Sequence, residues 1–273
     1  MKIISDALEL KQELRECKGA IGYVATMGAL HEGHISLIKA ARSANEIVVV
    51  SIFVNPTQFL VGEDLDKYPR RDEADKKICE LAGVDFLFMP KAEDLYFEDE
   101  VKIAAPNVRG YILEGATRPG HFSGVLRVVM KLLNIVNPAN AYFGKKDAQQ
   151  LHLIELMVKH YFMDVNIVAV DTLRDSDGLA LSSRNVYLSK EQRQEALKIS
   201  KSLYMASSMV SRGIVDVKVI QKEMYNILAP LEIGYVAILS RDFKAIEKVE
   251  LGNTVILVEA VVGTTRLLDN IWL

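Results

Sequence analysis

The amino-acid sequence predicts an α/β fold, with a doubly wound parallel sheet in residues 1–173 and a smaller C-terminal α+β domain in residues 174–273. In the first part of the chain, short apolar and β-branched segments alternate with segments whose apolar residues recur at helical spacing. This alternation favours parallel strands covered by helices on both faces. From Ser189 onward, long helical segments are followed by strands, which indicates a separate unit.

The central segment of the first domain, residues 21–34, is predicted to be a strand, a loop and the start of a helix. An apolar run at 21–25 precedes a turn with Gly28 and Gly33, and apolar residues then recur at helical spacing. At the carboxyl edge of a parallel sheet, the helix amino terminus directs unpaired N–H groups and positive dipole at a bound anion. We expect phosphate there, with His31 and His34 donating hydrogen bonds to its oxygens.

The two histidines also suit other roles. Imidazoles at this spacing are found as metal ligands and as partners of buried carbonyl groups. Taken alone, His31 and His34 leave these alternatives open.

The other elements of the first domain are predicted from the same patterns. A first helix runs from a cap at Ser5 or Asp6 to about Cys17, with Ala7, Leu8 and Leu14 on its apolar side. A later helix at 72–81 has Ala74, Ile78 and Leu81 turned inward, and another is opened by residues 144–147 with Asp147 as the candidate cap. The remaining elements are strands at 46–54, 84–89, 141–143 and 165–170, a polar connection at 62–70, a solvated charged surface at 91–100 and a helix after Gly124.

In the C-terminal domain, Ser189 and Gln192 form a capping-box pattern that opens a helix extending to about Ser211. A second helix is predicted from Asp216 to about Leu228, and strands are predicted at 235–240 and 254–262.

The composition limits the class of protein. The chain has 273 residues, of which 50% are hydrophobic and 25% charged, with a formal net charge of −3. This is typical of a soluble globular protein and disfavours one that coats nucleic acid. Only Cys17 and Cys79 occur, the N-terminal segment lacks the apolar core of a signal peptide, and no apolar run is long enough to cross a bilayer. We therefore expect a cytoplasmic protein with neither membrane nor nucleic-acid partners.

Polar residues with possible roles follow several predicted strands. Asn55, Thr57 and Gln58 follow the strand at 46–54, although a glutamine there is also typical of a solvated loop. Lys146 is suited to binding phosphate, although lysine pairs are usually exposed. His121 is either a substrate contact or a hydrogen-bonded loop residue. Ser182, Ser183 and Arg184 offer two hydroxyls and a guanidinium to phosphate, or else form a surface loop whose arginine pairs with Asp175 or Asp177.

Several motifs resemble one known family. Residues 26–34, T-M-G-A-L-H-E-G-H, resemble the H-x-G-H signature of the nucleotidylyltransferase superfamily and, through the flanking Thr-Met-Gly, the pantoate–β-alanine ligases. The resemblance extends over essentially the whole chain, through N-P-T-Q-F at 55–59, Y-P-R at 68–70, R-P-G-H-F at 118–122, G-K-K-D at 144–147 and L-S-S-R at 181–184. Ser123 stands where the family commonly has arginine, and Lys145 where an acidic residue is often found. The resemblance implies a Rossmann-like fold.

The resemblance also implies the site residues. His34, as proton donor, His31, Lys146 and Arg184 would be catalytic, Gln58 and Gln150 would bind pantoate, and Gln58 would also bind β-alanine. The implied ATP contacts are Met27, Gly28, Ala29, Leu30, His31, Glu32, Gly33, His34, Gly144, Lys145, Lys146, Asp147, Leu173, Leu181, Ser182, Ser183 and Arg184. Arg70 is taken as a structural or supporting residue, and no metal ligands are identified.

The implied reaction is the ATP-dependent condensation of (R)-pantoate with β-alanine to pantothenate, AMP and diphosphate through pantoyl adenylate, with Mg²⁺ and in a homodimer. A different nucleotidylyltransferase and a non-catalytic nucleotide-binding protein remain alternatives. A metal hydrolase is less favoured, because no third ligand is evident near His31 and His34.

Overall fold

The computed structural model describes residues 1–63 and 65–273, which form two compact units. One unit comprises Met1–Gly144 and Leu153–Val170, and the other comprises Lys145–His152 and Asp171–Leu273. The predicted connection at 62–70 includes Asp64, which lies outside the described residues. The division into functional domains at residues 173 and 174 stays a prediction.

The first unit is built on a parallel sheet of six strands. The strands are β1 (Lys2–Ile4), β2 (Ile21–Thr26), β3 (Ile47–Ile52), β4 (Phe86–Phe88), β5 (Asn140–Gly144) and β6 (Asn166–Val170). Their order in the sheet is β1-β4-β3-β2-β5-β6. The predicted α/β fold is therefore confirmed, and β1 is an additional edge strand that the sequence did not predict.

Helices and short turns connect these strands. The helices are α1 (Ala7–Glu16), α2 (Glu32–Ala44), α3 (Asp72–Leu81), α4 (Ala92–Leu95), α5 (Glu114–Thr117), α6 (His121–Val136) and α7 (Ala148–His160). Pro56–Gln58 and Lys145–Asp147 are 3-10 turns, and a further 3-10 turn, Ser183–Tyr187, follows β6 and lies in the second unit. In β3, Val48, Val49 and Val50 are all fully buried, as expected for a central strand covered on both faces.

The second unit contains an antiparallel sheet and long helices. Its elements are α8 (Lys190–Ser211), α9 (Val217–Leu228), β7 (Glu232–Ser240), β8 (Thr254–Val262) and β9 (Thr265–Trp272), with the strand order β7-β8-β9. The predicted capping box of Ser189 and Gln192 and the Asp216 cap are confirmed. Apolar residues of α8, α9 and the sheet form one core, which confirms the smaller α+β unit. The sequence analysis did not identify β9, because Asp269 and Asn270 interrupt its apolar pattern.

The predicted apolar faces of two helices are partly wrong. In α1, Leu8 is 77% exposed, whereas Leu10 and Leu14 are buried. In α3, Ala74 and Leu81 are exposed, and the buried positions are Asp75 and Cys79. Both helices are rotated relative to the prediction, because packing against the sheet selects the face and short helices give few apolar positions to define it.

The strand order determines where the loops lie. From β2 the chain continues to β3 and β4 on one side of the sheet, whereas β5 and β6 lie on the other side of β2. The order reverses between β2 and β5, and open α/β sheets bind ligands outside the carboxyl ends of strands at such a point. The chain leaves β2 after Thr26 and β5 after Gly144, so both strands end at this edge.

Among the described residues, no helix has both the length and the apolar character needed to span a bilayer.

A matched pair of substitutions tests the orientation of α1. We expect Leu10→Ala to lower the free energy of unfolding by about 2–5 kcal/mol, because it leaves a cavity under a fully buried side chain. Leu8→Ala on the exposed face should change it by less than about 0.5 kcal/mol. Urea unfolding of both variants measures the difference, and equal losses would contradict the observed orientation.

Candidate functional site

The loop after β2 ends in a helix cap made by two histidines. His31 is the N-cap of α2, and its Nδ1 accepts a hydrogen bond from the N–H of Gly33 at 3.1 Å. His34 folds back, so that its Nδ1 accepts a hydrogen bond from the N–H of His31 at 3.3 Å. The two ring centroids are 4.1 Å apart. This is a capping box in which imidazoles replace the usual hydroxyl and carboxylate groups.

The cap determines which nitrogen of each ring carries a proton. Because both Nδ1 atoms accept backbone hydrogen bonds, each neutral imidazole carries its proton on Nε2. The Nε2–H groups are therefore the donors that His31 and His34 can offer to an anion. Both side chains are half-buried, which limits competition from water.

The same cap changes the expectation for the backbone of the loop. The sequence analysis predicted unpaired N–H groups at the amino terminus of α2, but the N–H groups of His31 and Gly33 already have imidazole acceptors. The N–H of Gly28 donates to Thr26 Oγ1 at 3.2 Å. We conclude that an anion at this loop depends more on side-chain donors and the helix dipole than on these backbone groups.

A buried carboxylate holds the middle of the loop. Asp75 of α3 is 1% exposed, and its two oxygens accept hydrogen bonds from the N–H groups of Ala29 and Leu30, each at 2.8 Å. Ala29 has a φ of +49°, a conformation that is uncommon for residues other than glycine. The preceding Gly28 has a φ of +84°, and a Cβ there would lie 3.1 Å from Asp75 Oδ2. Asp75 thus fixes the backbone that leads into the two histidines.

Sequence analysis missed Asp75 because it placed Ala74 on the inner face of α3. The available signal was the spacing of Asp75 and Cys79, four residues apart and therefore on one helix face. A carboxylate on a buried helix face needs hydrogen-bond donors, and the glycine-containing loop after a neighbouring strand supplies them.

The predicted substrate residue Gln58 has its amide oriented by neighbouring side chains. Its Oε1 accepts a hydrogen bond from Asn55 Nδ2 at 2.9 Å, and its Nε2 lies 3.2 Å from the sulfur of Met27. Asn55 is 1% exposed and also donates to the carbonyl of Gly124 at 3.2 Å. These contacts direct the Gln58 amide nitrogen toward the loop after β2, and bring Gln58 together with Met27.

Asn55 is itself fixed by a group of donors. Its Oδ1 accepts hydrogen bonds from Tyr96 Oη at 2.6 Å, Thr57 Oγ1 at 2.9 Å and the N–H of Thr57 at 3.2 Å. Because an amide oxygen accepts all three, its nitrogen must face Gln58. Tyr96 lies in the segment that was predicted to be a charged surface. It orients the Gln58 amide indirectly, through its hydrogen bond to Asn55.

His121 and Arg118 hold the backbone of Gln58. His121 is 7% exposed, its Nδ1 lies 2.8 Å from the carbonyl oxygen of Gln58, and its Nε2 lies 3.1 Å from Arg118 Nη1. Because arginine only donates, Nε2 is the acceptor and Nδ1–H donates to Gln58. These contacts show a hydrogen-bonded His121, which is the first residue of α6 rather than a loop residue.

Glu63 completes this network. Its two carboxylate oxygens form a bidentate ion pair with Arg118, Oε2 with Nη2 at 2.5 Å and Oε1 with Nε at 2.6 Å. Burial alone would raise the pKa of the Glu63 carboxyl, but hydrogen bonds from Arg118 and the N–H of Leu60 hold this pKa below its ordinary value. Glu63 therefore remains charged at neutral pH and keeps Arg118 in place.

Ser123 and Arg127 occupy structural roles in the first unit. Ser123 Oγ accepts a hydrogen bond from the N–H of Ala105 at 3.1 Å. Arg127 pairs with Glu100 at 3.0 Å, and its guanidinium carbon lies 5.1 Å from the centre of the Tyr96 ring. Glu100 also pairs with Lys131. Glu100 therefore belongs to a cluster with Arg127 and Lys131, and not to the solvated surface predicted for residues 91–100. Arg127 packs against Tyr96, the residue that binds Asn55.

In the second unit, the predicted phosphate-binding lysines lie on a 3-10 turn. Lys145 Nζ pairs with Asp171 at 2.6 Å, whereas Lys146 Nζ lies 3.3 Å from Asp147 Oδ1. The Lys146–Asp147 contact joins adjacent, partly exposed residues and is therefore weak. Lys146 can exchange this partner for phosphate at little cost. Gln150, predicted to bind pantoate, is half-buried in the first turn of α7.

The Leu181–Arg184 segment forms the start of another 3-10 turn in the same unit. Ser182 is its N-cap, and Ser182 Oγ accepts a hydrogen bond from the N–H of Arg184 at 3.3 Å. The Ser182 hydroxyl keeps its own proton for donation. Asp175 and Asp177, considered as partners of Arg184, both bind Arg193, at 2.6 and 2.8 Å. Leu173, at the start of this region, is 40% exposed.

Metal binding by side chains alone has no support in the part of the chain that the structure describes. There, no group of three histidine, cysteine, aspartate or glutamate residues is arranged to hold a metal ion. A Mg²⁺ ion usually keeps several waters and binds through substrate phosphates, so it needs few protein ligands.

Replacing Asp75 tests its hold on the loop. In Asp75→Asn, one amide oxygen remains to accept, and the NH₂ group faces the second backbone N–H. We expect a loss of about 1–3 kcal/mol in the free energy of unfolding and faster hydrogen exchange at Ala29 and Leu30. Asp72→Asn, at an exposed position of the same helix, is the matched control. Equal exchange at both amides in wild type and Asp75→Asn would contradict the assigned role.

Similarity to known proteins covers the whole chain. Residues 2–272 match the family model for pantoate-beta-alanine ligase. The chain is 65% identical over 273 residues to a pantothenate synthetase of Sulfurimonas denitrificans and 58% identical to one of Aliarcobacter butzleri, with 100% of each chain covered. A crystal structure of pantothenate synthetase from Thermus thermophilus superposes with a TM-score of 0.94 at 39% identity, covering 99% of each chain.

A further structure was solved with ligands. The pantoate-beta-alanine ligase of Francisella tularensis, complexed with beta-gamma ATP and beta-alanine, has a TM-score of 0.83 and 36% identity, covering 100% of this chain and 97% of that one. The resemblance seen in the motifs is thereby confirmed. The chain is an enzyme of the pantoate-beta-alanine ligase family.

Proposed function

We propose that the protein condenses (R)-pantoate with β-alanine and ATP, forming pantothenate, AMP and diphosphate through a pantoyl-adenylate intermediate. The observation that carries this proposal is the two-histidine cap after β2, in which both Nδ1 atoms accept backbone N–H groups so that each neutral ring has its proton on Nε2, next to the reversal in strand order. Family membership over residues 2–272 supports the substrates, and the related Francisella tularensis enzyme was solved in complex with beta-gamma ATP and beta-alanine.

The first step is limited by charge rather than by a proton. The carboxyl group of pantoate is already ionised at neutral pH, because such acids titrate near pH ~4. Its oxygen attacks the α-phosphorus of ATP, the bond from that phosphorus to the bridging oxygen breaks, and diphosphate leaves with the electron pair. The site must therefore bring two anions together and stabilise the leaving diphosphate.

The proposed cationic and hydrogen-bond donor groups meet this demand. His31 and His34 would donate from Nε2 to phosphate oxygens, and the dipole of α2 would add a positive potential. Lys146, Ser182, Ser183 and Arg184 would supply an ammonium, two hydroxyls and a guanidinium. Mg²⁺, bound through the nucleotide, would supply further charge neutralisation.

The proposed acceptor contacts centre on Gln58 and Gln150. The Gln58 amide is held by Asn55 with its nitrogen toward Met27, so this residue can donate to pantoate without reorienting. The same preorganised amide would contact β-alanine in the second step. Gln150 would add a second polar contact to pantoate.

The second step does require a proton transfer. The amine of β-alanine attacks the acyl carbon of the adenylate, the carbon–oxygen bond to the phosphate breaks, and AMP leaves with the electron pair. β-Alanine is mostly an ammonium ion at neutral pH and must lose a proton to react. The ammonium gives one proton to water before it attacks. His34, whose Nε2 carries the proton in the neutral ring, is the proposed donor to the phosphate oxygen of the departing AMP, and the second proton, released from the nitrogen as the amide forms, restores that of His34.

Three further expectations belong to this proposal. Residues 1–173 would bind ATP and pantoate, and residues 174–273 would form a lid associated with dimerisation. The protein would act as a homodimer, and it would act in the cytoplasm. These expectations come from the sequence motifs and remain to be measured.

Isotope exchange tests the two-step path. We expect exchange of labelled diphosphate into ATP that requires pantoate but not β-alanine, because the adenylate forms before the amine reacts. With all three substrates and Mg²⁺, AMP rather than ADP should accumulate in step with pantothenate. Exchange that needs β-alanine would contradict the intermediate, and ADP formation would indicate an acyl phosphate instead. A panel of phosphorylated acceptors in place of pantoate distinguishes a different nucleotidylyltransferase.

A further inference from the structure

Two adjacent residues near the end of β9 bind both of the predicted phosphate-binding segments of the second unit. Asp269 and Asn270 are 4% and 3% exposed. One of them binds the turn that carries Lys146, and both bind the loop that leads to Ser182. Neither residue was a candidate in the sequence analysis.

Asn270 holds the lysine turn by its backbone. Its Nδ2 donates to the carbonyl oxygens of Lys145 at 2.9 Å and Lys146 at 2.7 Å, which uses both amide hydrogens. Its Oδ1 is buried and has no hydrogen-bond partner among the described residues. Leaving an acceptor unsatisfied costs free energy, so the orientation of this amide is set by the two carbonyl groups.

Asp269 holds the other segment through Arg174. Arg174 Nη1 and Nη2 bind the two Asp269 oxygens at 2.5 and 3.0 Å, and Nη2 also donates to the carbonyl of Asn270 at 3.2 Å. Burial alone would lower the pKa of Arg174, but the hydrogen bond and charge of Asp269 raise it above its ordinary value.

Arg174 begins the loop that leads to Ser182. It forms an isolated antiparallel β-bridge with Ala180, and the N–H of Leu181 donates to the carbonyl of Leu173 at 3.0 Å. Arg174 Nη1 also donates to the carbonyl of Gly178 at 3.2 Å. Fixing Arg174 therefore fixes the loop immediately before the Leu181–Arg184 segment.

We propose that Asp269 and Asn270 form a positioning pair that couples the Lys145–Asp147 turn to the Leu181–Arg184 segment. The proposal rests on the proposed function, in which both segments bind the phosphates of ATP. The two residues are linked to each other, because the N–H of Asn270 donates to Asp269 Oδ1 at 2.7 Å. A shift at either residue is thus transmitted to both segments, and errors of about 1 Å in placing charged groups are costly to catalysis.

Stability alone is a weak explanation for this arrangement. A buried ion pair often contributes no more to stability than apolar residues of similar volume, and the unpartnered Asn270 Oδ1 is a direct cost. Leu267, on the same strand, shows the apolar packing that β9 makes with the core. The polar contacts of Asp269 and Asn270 are better explained by the backbone groups that they hold.

A double-mutant cycle tests the coupling. In Asn270→Asp, a carboxylate faces two carbonyl oxygens, and in Asp269→Asn, Arg174 loses its charged partner. We expect each single variant to increase hydrogen exchange in both residues 145–152 and residues 173–187. The double variant should add little to the larger single effect, because the two residues act as a unit. If Asn270→Asp does not fold, Asn270→Ser, which keeps one hydroxyl donor, replaces it and should show a smaller increase.

Kinetics and a matched control separate positioning from stability. In the ligase assay, each variant should raise the KM for ATP by about 10-fold or more while the KM for β-alanine stays within about twofold. Leu267→Ala should lower the melting temperature without changing either the KM for ATP or the exchange of these two segments. The proposal is overturned if each variant loosens only its own segment, or if Leu267→Ala has the same effects. Should wild type lack ligase turnover, the proposed function fails, and the exchange cycle still decides the coupling.

Discussion

The order of the parallel strands is the constraint on which the candidate site of the first unit depends. All six strands end at one edge of the sheet, and the strand order reverses between β2 and β5, the kind of position at which open α/β sheets bind ligands. The loop after β2 carries both histidines, and the loop after β3 carries Gln58. The loop after β3 contains only the short 3-10 turn Pro56–Gln58 before the next helix, and side chains from elsewhere in the chain hold both loops.

Those side chains form hydrogen bonds with the loop backbone without any substrate. Asp75 accepts hydrogen bonds from the N–H groups of Ala29 and Leu30, the two histidines accept them from the N–H groups of His31 and Gly33, and His121 donates to the carbonyl of Gln58. The loops are thereby preorganised, and the orientations of the His31, His34 and Gln58 side chains are set by these hydrogen bonds. Preorganised donors stabilise developing charge more effectively than flexible ones, since no reorganisation accompanies the reaction.

Elements that depend on local sequence patterns were predicted correctly, whereas residues whose roles depend on tertiary contacts were not identified. The strand, loop and helix around His31 and His34 were predicted, because an apolar run, glycines and helical periodicity are local signals. The three-residue edge strand β1 and the polar interruption in β9 gave no such signal. Asp75, Tyr96 and Asn270 act on groups 41 to 125 residues away, which are backbone groups for Asp75 and Asn270 and the Asn55 side chain for Tyr96. The local sequence therefore did not identify their partners, although the spacing of Asp75 and Cys79 places both on one helix face.

The central claim is that the imidazole of His34 donates to the phosphates during adenylate formation. Single-turnover measurement with limiting ATP and excess pantoate, without β-alanine, tests it most directly because diphosphate release then reports only the first step. His34→Ala should slow this step by about 10²-fold or more, the effect of losing one well-placed donor. His160→Ala, which removes an exposed histidine of α7, should react at the wild-type rate. A His34→Ala rate equal to that of wild type would contradict the account.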